Sequence, residues 1–210
     1  MSQDTRAYHS KSRGIQAART RSRILCAAKN LFQSEGFDRV TIDRIAKAAE
    51  VATPTLYALF KSKRGVLQAL MDEALPVTQF EALVEAGKQE KCPEKRLKIT
   101  AQLARKLYDG ERELMDILRG ASVVAPEFKE LEQERESRRY ARQEESVRAL
   151  MEENVLAKGL TLAKARDLFW AFTGRDLYRM FTIERGWTSD EYEIWLSQLL
   201  ISSLLNKEFC

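Results

Sequence analysis

The side chains best suited to reading another molecule lie between Thr41 and Lys63, in TIDRIAKAAEVATPTLYALFKSK. Within it, Thr53, Pro54, Thr55 and Ala58 place hydroxyls and small apolar groups on one short stretch. Threonine hydroxyls hydrogen-bond base edges, and threonine methyls, Pro54 and Ala58 suit a thymine methyl. Lys61, Lys63 and Arg64 follow at once, where they would neutralise flanking phosphates. Other chemistry is poorly provided for. His9 is the one histidine and stands in a polar N-terminal stretch, so it supplies neither a triad nor a metal cluster. Cys26, Cys92 and Cys210 are odd in number and widely spaced, with no C-x-x-C pair, which leaves no zinc module and no disulfide framework. Carboxylates sit mainly in charged helical stretches beside bases, the pattern of a solvated face. The expectation is a chain with no catalytic residue, no metal and no cofactor.

The elements that hold the Thr53–Ala58 stretch are legible from spacing. Ile42, Ile45, Ala46 and Ala49 fall at i, i+3, i+4 and i+7, the stripe of a short helix, with Thr41 placed to cap its first turn. Thr53-Pro54 reads as an N-cap followed by proline at the first helical position. Leu56 and Phe60 then repeat at i, i+4 and leave Thr53, Thr55, Tyr57 and Ala58 off the buried face. Two short helices this close in sequence must cross steeply, as in a helix-turn-helix unit, with the second free to enter a major groove. A helix near 16–35 precedes them, with Ile24, Ala28, Leu31 and Phe32 on one face and Cys26 in its apolar pattern as a core thiol. Gly36 ends it in left-handed geometry, with Phe37 a contact just beyond. A fourth helix starts after Ser62 and runs to about Leu75, and Pro76 marks the boundary.

The stretch Leu31 to Leu75 resembles the tetracycline-repressor (TetR) family of transcription regulators. The resemblance is carried by Leu31-Phe32, Gly36-Phe37, Thr41-Ile42, Ile45-Ala46, Val51, Pro54-Thr55-Leu56-Tyr57, Phe60, Lys61-Ser62-Lys63 and Leu67, in order and spacing. Glu50 stands where that family usually has the turn glycine, so a glutamate must adopt left-handed geometry or the turn must differ. The resemblance implies phosphate contacts from Thr41, Arg44, Tyr57, Lys61 and Lys63, beside base contacts from Thr53, Pro54, Thr55 and Ala58. It also implies a homodimer on double-stranded DNA whose final two helices pair with their twofold mates. Gly174, Trp195, Leu199 and Leu200 are the residues expected at that interface.

Composition agrees with this class. Hydrophobic residues make up 44% of the 210 and charged residues 31%, while nine glycines and four prolines are few, which favours an all-helical chain. No apolar run approaches the ~20 residues of a membrane span, and the N-terminus lacks a signal-peptide core. With that cysteine usage, the cytoplasm is the expected compartment. Residues 1–64 hold thirteen Lys/Arg against five acids, a net of +8 that leaves −4 for the rest of a chain whose total is +4. A basic head on an acidic body suits a polyanion partner.

Beyond residue 77 the helices lengthen. Pro93–Tyr108 turns Leu97, Ile99, Leu103 and Leu107 inward and is expected to stop at Asp109-Gly110. Phe128 to about Asn154 is helical, and its EQERESRRYARQEES middle is read as mostly wet. LFWAFTGRDLYRMF is apolar almost all round and is read as one buried helix with Gly174 inside it, whose Arg175 and Asp176 must be paired, bound to a ligand or at the subunit interface, a structural pair being the favoured case. Thr188 and Glu191 form a capping box for the last helix, with Trp187 and Tyr192 as a hydrophobic staple. Tyr108, Met115, Phe169, Trp170, Phe172 and Tyr178 are the candidate lining of a small-molecule site.

The expected architecture is therefore all-α: a flexible basic arm over 1–14, a helix-turn-helix domain over 15–62, a connecting helix over 63–76 and a ligand-binding and dimerisation domain over 77–210. The function expected is a ligand-responsive regulator, a repressor on a near-palindromic operator, released by a small, largely apolar effector of unknown identity. The alternative is a DNA-binding regulator or architectural factor switched by a protein partner. No membrane partner is expected.

Overall fold

The computed structural model describes residues 4–73, 76–115, 117 and 126–206, with backbone alone at 4–13, 126–128 and 131. Leu75, the expected end of the fourth helix, and Cys210 lie outside the described residues. Every regular element among those described is helical, and the single bridge, Leu156 to Leu205, is isolated. None of these helices is long and apolar enough to cross a membrane. The chain divides into two compact units, Met1–Asp72 with Leu114–Lys129, and Glu73–Glu113 with Glu130–Cys210. The sequence reading treats 77–210 as one continuous body. Instead Leu114–Lys129 groups with the head, and its Leu114, Met115 and Ile117 are buried.

In the head, α1 spans Asp4–Glu35, α2 Ile42–Ala48, α3 Thr53–Phe60 and α4 Lys63–Asp72. The stretch expected as a flexible arm is helical from Asp4 onward, continuous with the rest of α1 and with no proline to interrupt it. α1 packs on α2 and α4, and α3 on α2 and α4. Ile24, Phe32, Ile45, Leu56 and Leu67 are all but wholly buried there. Each such side chain contributes about 1.5–3 kcal/mol on leaving water. Cys26 is exposed, contrary to the core reading, since Ile24, Leu25 and Ala28 take the inward face. Gly36, at φ 82°, ends α1, and Phe37 packs on Phe32 with ring centroids 5.1 Å apart.

The second unit contains α5 (Val77–Gln89), α6 (Pro93–Glu111), most of α7 (Pro126–Glu152), α8 (Leu162–Phe172), α9 (Arg175–Arg179) and α10 (Ser189–Leu204). α6 packs against both α5 and α10, and α8 against α10. α6 runs through Asp109-Gly110 rather than ending there. Asp109 accepts hydrogen bonds from Tyr178 and from Ser189 and pairs with Arg105, which holds that turn in the helix.

The stretch expected as one apolar helix is broken. Thr173 turns its hydroxyl back to the Phe169 carbonyl at 2.7 Å, and Gly174 is the extended N-cap of α9. A π-helical turn, Met180–Glu184, follows. Gly174 is thus a breakpoint, not an interior helix residue. The capping box at α10 forms as expected: the Thr188 hydroxyl accepts from Glu191 N at 3.2 Å, and Glu191 accepts from Thr188 N at 2.7 Å. Trp187 packs its ring on Phe181 (4.5 Å) and edge-on to Trp195 (6.0 Å).

α7 departs most from expectation. Glu132, Arg135, Glu136, Arg139 and Gln143 recur at helical spacing in line with buried Val147 and Leu150. That stripe faces polar partners. Arg135 and Arg175 both grip Glu111, which is 0% exposed, at 2.6 and 3.0 Å, and Arg175 also reaches Glu132 at 2.9 Å. Removing one partner of such a cluster strands a buried charge, at a cost of about 3–5 kcal/mol. Asp176, expected to be buried and paired, has its side chain almost fully exposed.

Candidate functional site

The turn joining α2 to α3 is closed by two backbone bonds, Val51 N to Ala46 O at 3.0 Å and Glu50 N to Lys47 O at 3.2 Å. This pairing is a Schellman motif, and Glu50 occupies its left-handed position at φ 54°. A glutamate therefore does adopt the geometry the turn demands. Thr41 caps α2, its hydroxyl accepting from Arg44 N at 3.3 Å.

At the start of α3, Ala52 is the N-cap and Thr53 is the first helical residue. The Thr53 hydroxyl donates to Asp43 at 2.8 Å and ties α3 to α2, so this side chain is engaged as a strut. Leu56 and Phe60 anchor the helix from beneath, leaving Pro54, Thr55, Tyr57 and Ala58 exposed. Tyr57 is 50% exposed despite its size. An exposed ridge of small and hydroxylated side chains on a rigid short helix has the shape and chemistry that a major groove accepts.

The basic residues expected at phosphates divide. Lys61 is exposed at φ 63° just past α3. Lys63 turns to the loop after α1, where its ammonium donates to the Phe37 carbonyl at 2.8 Å and lies 4.2 Å from the Phe37 ring centroid. Arg44 is held by Glu35 of α1, with one of the two bonds at 2.6 Å. Both cations are thus used inside the head. Nothing in their spacing announced it, because Glu35 and Phe37 approach only when α1 packs on α2.

The second unit holds a partly open cavity of about 400 Å³. Phe80, Leu83, Leu97, Leu103, Leu107 and Phe169 give it an apolar body from α5, α6 and α8. Its polar lining comes chiefly from α7, with Arg139, Arg142 and Gln143, and from Tyr108 and Thr173. Of the residues expected at a ligand, Tyr108 and Phe169 line the cavity. The Tyr108 phenol donates to the Thr173 carbonyl at 2.9 Å, and burial pushes its pKa up to about 12. Trp170 instead packs on α7, its N–H donating to Glu136 at 2.9 Å beneath the Arg139 guanidinium. Tyr178 is buried beyond the cavity, and burial together with the Asp109 hydrogen bond raises its pKa. Phe172 does not line the cavity, and Met115 belongs to the head unit.

Arg139 and Gln143 are the functional candidates that sequence reading missed. Arg139 donates to the Trp170 carbonyl (2.9 Å) and Thr173 hydroxyl (3.0 Å), closing the end of α8, and Gln143 donates to the same hydroxyl at 2.8 Å. Their alignment with Val147 and Leu150 was the available signal.

On the last helix, Leu200 is wholly buried in its own chain, so it is no interface residue, whereas Trp195 and Leu199 are half-buried. Ile194 is 60% exposed, and Met180 and Ile183 are also exposed.

A two-helix reading unit braced by α1 and α4 defines the head as a helix-turn-helix module. Residues 24–70 match the family of bacterial regulatory proteins, tetR family. The chain is 35% identical to the A-factor receptor protein of Streptomyces griseus over 86 residues, covering 38% of this chain and 30% of that protein. The matches span only about a third of the length of the first curated relatives. The fold extends further. NalD, the secondary repressor of the MexAB-OprM multidrug efflux pump in Pseudomonas aeruginosa, superposes with a TM-score of 0.73 at 22% identity, covering 91% of this chain and 98% of that one. FadR from Bacillus subtilis, solved in complex with stearoyl-CoA, gives 0.69 at 19% identity, covering 86% and 97%.

Proposed function

We propose that this chain is a ligand-responsive transcription regulator that binds a near-palindromic operator as a homodimer and represses until an effector enters its second unit. The observation that carries the reading is the exposed Pro54-Thr55-Tyr57-Ala58 ridge on a helix whose Leu56 and Phe60 are locked in the core. Thr55, Pro54 and Ala58 meet base edges, while Thr41, Tyr57 and Lys61 hold phosphates. Two copies would set their α3 helices about one turn of duplex apart, ~34–36 Å.

The effector reading rests on the cavity, which falls in the size range of small-molecule sites. FadR's complex with stearoyl-CoA supports an occupant with a long apolar segment. An effector that binds one dimer geometry better shifts the population away from the operator-bound form, and a coupling of about 1–3 kcal/mol suffices. The site of action is the cytoplasm, where bacterial DNA lies. Binding, not catalysis, is the activity proposed.

The test is selection of duplexes from random DNA by the purified protein at low salt, repeated with a metabolite extract. Enrichment of an inverted repeat that the extract abolishes supports the reading. Failure to enrich any duplex overturns DNA binding. Enrichment indifferent to the extract favours a switch operated by a protein partner.

A further inference from the structure

Four cations line the cavity of the second unit, Lys88, Arg96, Arg139 and Arg142, against one carboxylate, Glu145. Three of them are matched: Lys88 with Glu145 at 3.0 Å, Arg96 with Glu153, and Arg139 with Glu136 at 2.6 Å. Arg142 has no carboxylate among the described residues. Its guanidinium lies 5.2 Å from the Phe80 ring centroid, on the cavity lining, and α7 places further arginines around it. Partial burial and repulsion from Arg138, Arg135 and Arg139 all lower its pKa, the condition an anion would relieve.

We infer that the effector is an organic anion with an apolar body, its charge met by Arg142 and its body lying on the leucine and phenylalanine wall. This rests on the reading of the cavity as the effector site and names the chemistry that site selects. A neutral hydrocarbon of the same shape would bring no counter-charge to Arg142.

Two dyes of nearly one shape test it. 8-Anilinonaphthalene-1-sulfonate carries fused and single rings, an N–H and a sulfonate, whereas N-phenyl-1-naphthylamine lacks only the sulfonate. Fluorescence titration of the full-length protein should give about tenfold tighter binding for the sulfonate. Arg142→Met should erase that preference by weakening the sulfonate about tenfold while leaving the neutral dye unchanged. Leu103→Trp, which fills the cavity, should displace both dyes, with circular dichroism reporting that the variant is folded.

Equal affinity of the two dyes, or equal weakening of both by Arg142→Met, overturns the anion assignment. If Leu103→Trp still displaces the dyes in that case, the cavity reading survives it. Sulfonate binding that ignores Leu103→Trp in a folded variant overturns the cavity reading as well. Arg142 is exposed, so its variant tests the inference without endangering the fold.

Discussion

At the level of single residues, Thr55 and Lys61 carry separable consequences. Thr55→Ala removes a base-reading hydroxyl and methyl and should change base preference at one operator position by about 1–3 kcal/mol. Competition binding against single-base operator variants measures it, and an unaltered preference profile would remove Thr55 from the reading face. Lys61→Ala should instead weaken binding to all sequences alike and reduce the salt-dependence slope by about one. Affinity measured across a salt series would show this; a loss confined to one sequence would contradict the phosphate role. Lys63, which the spacing makes equivalent to Lys61, differs because its ammonium closes on the Phe37 carbonyl. Titration belongs to this scale too. Tyr108 has its pKa raised by burial from 10.0 to about 12. A raised value in the fold means its contribution is intact below pH 10 and is lost as pH climbs through 12. Urea midpoints compared between about pH 9 and about pH 11.5 should fall less steeply in Tyr108→Phe than in the parent protein.

At the level of elements, the junction of α3 and α4 is sterically closed. A Cβ on Gly65 would lie 1.9 Å from the Phe60 carbonyl oxygen, backbone that cannot swing aside. Gly65→Ala should therefore destabilise the protein by about 1–3 kcal/mol, read as a lowered melting temperature. Gly87→Ala on α5 is the control: its Cβ would meet only Ile99 at 3.6 Å, and helix propensity favours alanine. If both variants melt alike, the closeness at Gly65 does not matter. Apolar periodicity and caps made α2, α3 and the start of α10 legible, since those signals act within one or two turns. The helix of α7 was legible too, but its buried face was not, because that inward stripe is polar. A stripe of Glu and Arg looks like solvated surface until α6, α8 and α9 bring Glu111, Thr173 and Arg175 to meet it.

At the level of the molecule, the proposed homodimer needs a surface that is apolar and free. Ile194 on α10 is 60% exposed, whereas Leu196, Leu200 and Leu204 of the same helix are buried in their own chain. Removing the last helix would thus gut the second unit and could not report on association alone. Ile194→Glu is the discriminating change. It should convert dimer to monomer in sedimentation velocity without altering the helical circular dichroism, and a dimer that persists would move the interface elsewhere.

Short-range patterning was enough to determine the helical class, the short helix α3 with its exposed face, and the capping box at Thr188, while the turn at Glu50 was left between two geometries until the structure gave φ 54°. Each depends on residues within about two helical turns, where spacing alone decides which side chains share a face. Tertiary structure alone decided which cations stay outside, where the apolar-looking helix breaks, and which groups line the cavity. Those outcomes depend on partners far apart in the chain, Lys63 with Phe37, Thr173 with Arg139 and Gln143, and Glu111 with Arg135 and Arg175. A charge or hydroxyl declares its role only when packing shows what it must satisfy.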